Sequence, residues 1–347
     1  MQNDKAMRQK IAAVPVPGRR RRALFPTIAS VLFLAGLLVP PAALRLGLQT
    51  ADTDVYLQQY GEYDLGEGLL NGPFEPAFMF LSWVGKELGA NSFQYLWIVA
   101  LVGVLLKLLG IYRSSHFFWL SILVYISKYF LLHEMTQMRA GIATGIFLYS
   151  LPMLHRRDGV RYFFCSLTAT AFHQSAIIYL LIYPICKESK RKILSLSMVI
   201  GIGLMFSLLN ANGMLFEFLS NYIPKIRAYL ILLASGEYAD INLFNAEIIL
   251  KIFVWCVILS RYDRLSNRYY LFDVLFKVWT MSIVLYFALA SVPVFAFRVG
   301  ELLDVVAIPL LPALIVAFDR VWIGLGIFFS MILFWVVNYY FVQPIFL

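Results

Sequence analysis

Ionisable side chains at the ends of apolar runs are the groups in this sequence best placed to do chemistry, because an unpaired charge in a bilayer costs several kcal/mol. Arg139, in Gln137-Met138-Arg139-Ala140-Gly141, opens the apolar run 140–154. A guanidinium beside the positive end of a helix is a poor neighbour unless the two share an anion, and both favour phosphate. The bland alternatives are snorkelling to the interface or pairing with Glu134. Arg298 repeats the arrangement at the head of the run 299–318, where Glu301, three residues on, offers an ordinary helix ion pair. Two arginines at the starts of two inward-running helices suit a diphosphate. Arg227, and less so Lys225, offers a third contact.

His173 is the only histidine with deep apolar flanks on both sides, and a neutral imidazole suits the acceptance of a hydroxyl proton near neutral pH. A structural hydrogen-bonding role is the competing reading. The stretch from His133 to Gln137 imitates the zinc-protease pattern H-E-x-x-H, but glutamine replaces the second ligand, so no metal is expected. Asp52, Asp54 and Glu75 share one side with Tyr56 and Tyr60, and an acid-and-tyrosine surface can hold sugars. No glycine-rich phosphate loop or dinucleotide-binding unit is present, so no cofactor is expected and any glycosyl donor has to be lipid-linked.

The elements that position these residues follow from composition. The 347 residues are 61% hydrophobic and 14% charged, against roughly 45–50% and 25% for soluble domains. The expected fold is all-α, a polytopic membrane bundle. Apolar runs near 24–44, 93–112, 117–133, 140–154, 193–211, 243–260, 271–290, 299–318 and 322–341 give nine expected spans of about 20 residues each. Residues 1–23 form a basic tail ending in Arg19, Arg20, Arg21 and Arg22, which orients the N-terminus to the cytoplasm. A cleaved signal peptide is disfavoured, because no small-residue cleavage site follows that tail. Residues 24–347 form a single membrane domain with no internal repeat.

From a cytoplasmic N-terminus, the joints at Arg113, 156–161, 187–192, 261–268 and Arg320 fall inside and hold most of the lysine and arginine. The net charge of +9 thereby reads as orientation, and no nucleic-acid partner is expected. Loops near 45–92, 212–242 and 291–298 fall outside, the first two carrying short interfacial helices, one of them over 74–88. The segment 162–186 breaks the count, since basic joints flank it on both sides. A single crossing there inverts everything downstream. A hairpin of two half-length helices, each of about 12 residues and roughly 18 Å, does not, and is preferred; it puts His173 at its tip. Lys128, Lys251 and Lys277 are buried candidates, with Glu247 and Asp273 as expected partners of the last two.

The order of these motifs resembles a known family. Asp52 with Tyr56 and Tyr60, Glu75-Pro76-Ala77-Phe78, Met138-Arg139-Ala140-Gly141-Ile142-Ala143, Ala171-Phe172-His173-Gln174-Ser175 and Arg298 before a proline-bearing span are similar to the EpsG-like branch of the Wzy polymerases. Those bacterial enzymes polymerise undecaprenyl-diphosphate-linked repeat units of O-antigen or exopolysaccharide. Two departures stand out: Ala140 replaces a common glutamine, whose hydrogen bond Gln137 can assume, and Glu301 lies near a position that often holds tyrosine. The resemblance implies metal-independent periplasmic glycosyl transfer in the inner membrane, beside a chain-length regulator and a flippase. It further implies Arg139 and Arg298 on the leaving diphosphate, and His173 or Glu75 as the base. An O-antigen ligase using the same donor, or a transporter of lipid-linked sugars, are the rival readings.

Overall fold

In the computed structural model, the described residues are 26–45, 51–63, 73–187, 211–222, 227, 230–231, 244–290 and 292–342. Among them every regular element is a helix. The first, α1 (Ile28–Leu44), starts at a capping box formed by Thr27 and Ser30 and ends at Arg45, which takes a left-handed conformation (φ 49°). Arg45 then turns inward and is buried. Its guanidinium donates to Thr53 Oγ1 at 2.7 Å and to the Met135 carbonyl, so it fastens the end of α1 to two other elements.

The expected outer loop 45–92 contains two helices, α2 (Ala51–Glu62) and α3 (Pro76–Glu87). The second falls within the stretch 74–88, where a short helix is expected. Next come α4 (Ser92–Ser114), α5 (Phe118–Val124, continuing π-helically over Tyr125–Glu134) and α6 (Met138–Arg156). The wider π turn aligns residues five apart. Lys128 and His133 therefore face one helix together, opposite Asp304 and Glu301 respectively.

α4 and α6 pack closely through glycines. A Cβ added at Gly110 would lie 2.7 Å from Leu148 Cβ and 2.9 Å from the Gly145 carbonyl, and neither backbone can withdraw. Gly110→Ala is expected to destabilise the bundle by about 1–3 kcal/mol, read as a lower thermal midpoint in detergent. An unchanged midpoint would show that the two helices can separate.

α7 (Gly159–Phe172) and α8 (Ile178–Lys187) are joined by a 3-10 turn over Gln174–Ile177. They fold back on each other: Tyr162 Oη donates to the Tyr179 carbonyl at 2.7 Å, and a Cβ on Gly159 would meet the Tyr183 hydroxyl. Both ends of 159–187 thus lie on one side, and His173 is at the bend. Ring stacking of Phe147 on Tyr179 (centroids 3.9 Å apart) seats the hairpin on α6.

The remaining described helices are α9 (Ala211–Ser220), α10 (Ala246–Ser260), α11 (Tyr262–Ser266), α12 (Phe272–Ala288) and α13 (Pro293–Asp304). Short turns α14 (Ala307–Leu310) and α15 (Leu314–Ala317) extend α13 before α16 (Val321–Val337). Three described helical stretches are long and apolar enough to cross a bilayer: Ser92–Ser114, Phe295–Ala317 and Val321–Val342. The others are shorter or carry charge, and the expected span 193–211 lies almost wholly outside the described residues, as does the tail 1–23. The structure therefore supports an all-helical membrane protein.

One lysine expectation needs correction. Lys251 pairs with Asp304 at 2.5 Å, and Glu247 is taken by Lys128, also at 2.5 Å. Asp304 accepts in addition from Lys128 (2.9 Å), Tyr129 Oη (2.8 Å) and Trp279 Nε1 (2.9 Å). A buried carboxylate needs several donors, and one local i,i+4 pair cannot supply them. Asp273 accepts from Tyr262 and Ser266.

The described basic joints gather at one end. Tyr270 Oη donates to the Arg113 carbonyl, His155 packs on Tyr270, Tyr183 Oη donates to the Arg157 carbonyl, and Arg264 pairs with Asp319. Arg139, Glu75 and His173 lie at the opposite end of α6 and of the hairpin.

Candidate functional site

Three elements converge at that opposite end: the start of α3, the start of α6 and the hairpin tip. Glu75 is the N-cap residue of α3, with Pro76 at the first helical position fixing the entry of the chain. Its carboxylate does not cap its own helix. Instead Oε2 lies 2.5 Å from Arg139 Nη1, while Oε1 accepts from the Gln174 backbone N–H at 3.0 Å and stands 3.9 Å from His173 Nδ1. One carboxylate thus ties the head of α6 to the hairpin tip. Burial works against its ionisation, but Arg139 and the Gln174 N–H outweigh that and hold its pKa below the usual carboxylate range.

Arg139 is boxed by aromatic rings. Its Nε donates to Tyr56 Oη at 3.3 Å, and its guanidinium carbon lies 4.5 Å from the centre of Phe74 and 5.6 Å from that of Tyr56. Cation–π stacking of this kind holds a planar guanidinium in place while leaving an edge for a ligand. The Arg139 side chain keeps 26% of its surface exposed, so the cluster opens outward. The expected alternative pairing with Glu134 is not made: Glu134 faces buried Lys107, 3.9 Å away.

His173 ends α7 in an extended conformation, and its carbonyl accepts from the Ala176 N–H at 2.8 Å. Arg298 is exposed on α13, which packs on the 3-10 turn of the hairpin. The charges of Glu75, Arg139, Arg298 and Glu301 all act on the His173 imidazole. The guanidinium groups of Arg139 and Arg298 at this end of the bundle are donors suited to an anion. Arg298 does not rely on Glu301 as an i,i+3 partner. Glu301 is engaged elsewhere, by His133 Nε2 at 2.8 Å and Gln137 Nε2 at 3.4 Å. That uses the amide of Gln137 away from Arg139.

The expected sugar-facing residues divide. Asp52 and Asp54 are exposed on the first turn of α2. Tyr56 and Tyr60 are buried: Tyr56 packs on Phe74 and Phe78, and Tyr60 stacks on Tyr95 at 4.0 Å while its hydroxyl donates to the Ala90 carbonyl. Neither ring presents a face outward. Arg227 is exposed, and among the described residues nothing links it to the cluster; Lys225 lies outside the described residues.

Sequence reasoning missed three participants. Phe74 and the Gln174 N–H carry no chemical signature of their own. Lys107 was hidden inside an apolar run, where a lone lysine reads as a snorkelling surface group. His133 is held through both ring nitrogens, by Lys107 Nζ (3.0 Å) and Glu301.

A family model described as the EpsG family matches residues 28–344, which takes in all three converging elements. No match was found among curated proteins or among solved structures. The matched stretch includes every residue of the cluster and both arginine-bearing helices, and the chain belongs to the EpsG family, an EpsG-like family of Wzy-type polymerases.

Proposed function

We propose that this polymerase-type membrane protein joins undecaprenyl-diphosphate-linked oligosaccharide repeat units by metal-independent glycosyl transfer on the periplasmic face of a bacterial inner membrane. The observation that carries the reading is the outward-opening cluster in which Glu75 holds Arg139 against the His173 bend, with Arg298 beside it. The acceptor's terminal hydroxyl attacks the donor's anomeric carbon. The bond from that carbon to the diphosphate oxygen breaks, and the electron pair leaves with the diphosphate. Arg139 and Arg298 stabilise the charge that builds there. His173 takes the hydroxyl proton, and Glu75 stabilises the resulting imidazolium.

Asp52 and Asp54 accept hydrogen bonds from sugar hydroxyls, while Tyr56 and Tyr60 hold α2 in place behind them. Arg227 adds an outer cationic contact. The gathered basic joints face the cytoplasm, with the N-terminus, and nine crossings plus the re-entrant hairpin complete the topology. A chain-length regulator and a flippase of the same pathway are the expected partners.

The test is the length of surface polysaccharide in a deletion strain complemented with His173→Ala or Arg298→Ala. Both variants are expected to leave glycan capped at a single repeat unit, at normal protein levels. Long chains from both would refute the assignment, and a deletion strain lacking single-repeat glycan would refute polymerisation itself.

A further inference from the structure

We infer that Glu301 is a positioning residue that sets the relative placement of Arg139 and Arg298; the inference rests on the diphosphate-binding role proposed above. Glu301 lies one helical turn inward of Arg298 on α13. Its two oxygens reach the other arginine's support. One meets His133 at the end of α5, and the other meets Gln137, two residues before Arg139. The carboxylate is therefore a brace between α13, which carries Arg298, and the residues that lead into α6, which carries Arg139.

The polarity of the brace is set from deeper in the bundle. Lys107 is fully buried and donates to His133 Nδ1 at 3.0 Å and to Thr144 Oγ1, with Glu134 3.9 Å away. An ammonium has no acceptor site, so Nδ1 must be the bare nitrogen and Nε2 must carry the proton. His133 consequently donates to Glu301. Thr144 is itself anchored, donating to the Ala140 carbonyl at 2.8 Å. The Lys107 ammonium thus fixes the direction of the chain through His133 and leaves Glu301 as its final acceptor.

The other charged groups nearby do not compete for that oxygen. On α13 itself, Asp304 is occupied by Lys128, Lys251, Tyr129 and Trp279, and His173 faces Glu75. Removing Glu301 would leave the His133 Nε2–H unpaired in a buried position and uncouple the heads of α6 and α13. Placement of a clamp matters strongly, since small misplacements of binding groups forfeit most of their effect.

The role is geometric, so a glutamine should serve where an alanine cannot. In the Glu301→Gln variant the side-chain amide oxygen would accept from His133, while the Gln137 amide turned over to accept from the new amide nitrogen. Binding of undecaprenyl diphosphate to the full-length protein in nanodiscs is the direct readout, with thermal midpoints measured alongside. Glu301→Ala is expected to weaken binding about tenfold, equivalent to about 1.4 kcal/mol. Glu301→Gln is expected to stay within about threefold of the unsubstituted protein, on the same scale.

If the unsubstituted protein binds and Glu301→Ala binds equally well, the brace is wrong whatever happens to the midpoint. If Glu301→Gln is as weak as Glu301→Ala, the geometric role is likewise wrong. Should Glu301→Ala fail to fold, His133→Ala, which removes the donor to Glu301, takes its place in the same comparison, with the same tenfold loss expected and equal binding again overturning the brace. Absence of binding by the unsubstituted protein would instead overturn the diphosphate-binding role itself.

Discussion

Arg139→Ala is expected to lower polymerisation by about 100-fold or more, the cost of removing one preorganised donor from a developing oxyanion, about 3 kcal/mol. The measurement is single-turnover extension of a lipid-linked repeat unit by the reconstituted protein. Arg139→Lys should not restore it. The guanidinium uses Nε for Tyr56 and Nη1 for Glu75 while lying over Phe74, and a single ammonium cannot make these contacts together. Either change also leaves the half-buried Glu75 carboxylate with the Gln174 N–H as its remaining strong donor, so some loss of stability accompanies the loss of rate. Rates within threefold for both variants would remove Arg139 from the reaction.

The second large effect concerns Glu75 and is dependent on pH. Its folded pKa is held below the ordinary value of 4.5 by Arg139 and the Gln174 N–H, against burial. A carboxylate with a depressed pKa contributes stability that is fully present above its unfolded pKa and is lost as pH falls through the folded value. The anchoring of the hairpin tip should therefore be constant from neutral pH down to about 4.5 and weaken below it. Glu75→Gln keeps an acceptor for the Gln174 N–H but loses the charge facing Arg139 and His173. It should lower stability at neutral pH by about 1–3 kcal/mol, the usual range for a partly buried charged hydrogen bond. The difference in thermal midpoint between the two proteins should shrink as pH falls below 4.5. A difference that grows on acidification would show that Glu75 is protonated in the folded protein. Polymerisation by Glu75→Gln at neutral pH should fall by about tenfold or more, a loss in the range for weakened acid–base catalysis, because the imidazolium of His173 loses its partner.

The bend at 173 was legible because basic residues flank a segment too short for two full crossings, and charge placement is a strong constraint in a bilayer. Its consequence for chemistry was not. Nothing in the spacing of Glu75, Arg139 and His173 says that one carboxylate touches both others, since the contacts span 64 and 98 residues. Local pairings were the weaker guide: Arg139 with Glu134, Arg298 with Glu301 and Lys251 with Glu247 all share a neighbourhood in sequence, and each carboxylate finds its close partner in another helix. Exposed i,i+4 pairs contribute only a few tenths of a kcal/mol, whereas a buried carboxylate must be fully satisfied, and the second requirement wins.

What the sequence determined by itself was the class of molecule, the clustering of basic joints and the short set of ionisable residues worth suspecting, because apolar length and charge asymmetry act locally along the chain. The tertiary structure alone decided which of those residues meet. Burial of Tyr56 and Tyr60, the aromatic box around Arg139 and the Lys107–His133–Glu301 chain all arise where distant helices pack. The physical reason is the low-dielectric interior: each buried polar group must find a partner there, and only the packed bundle fixes which partners are within reach.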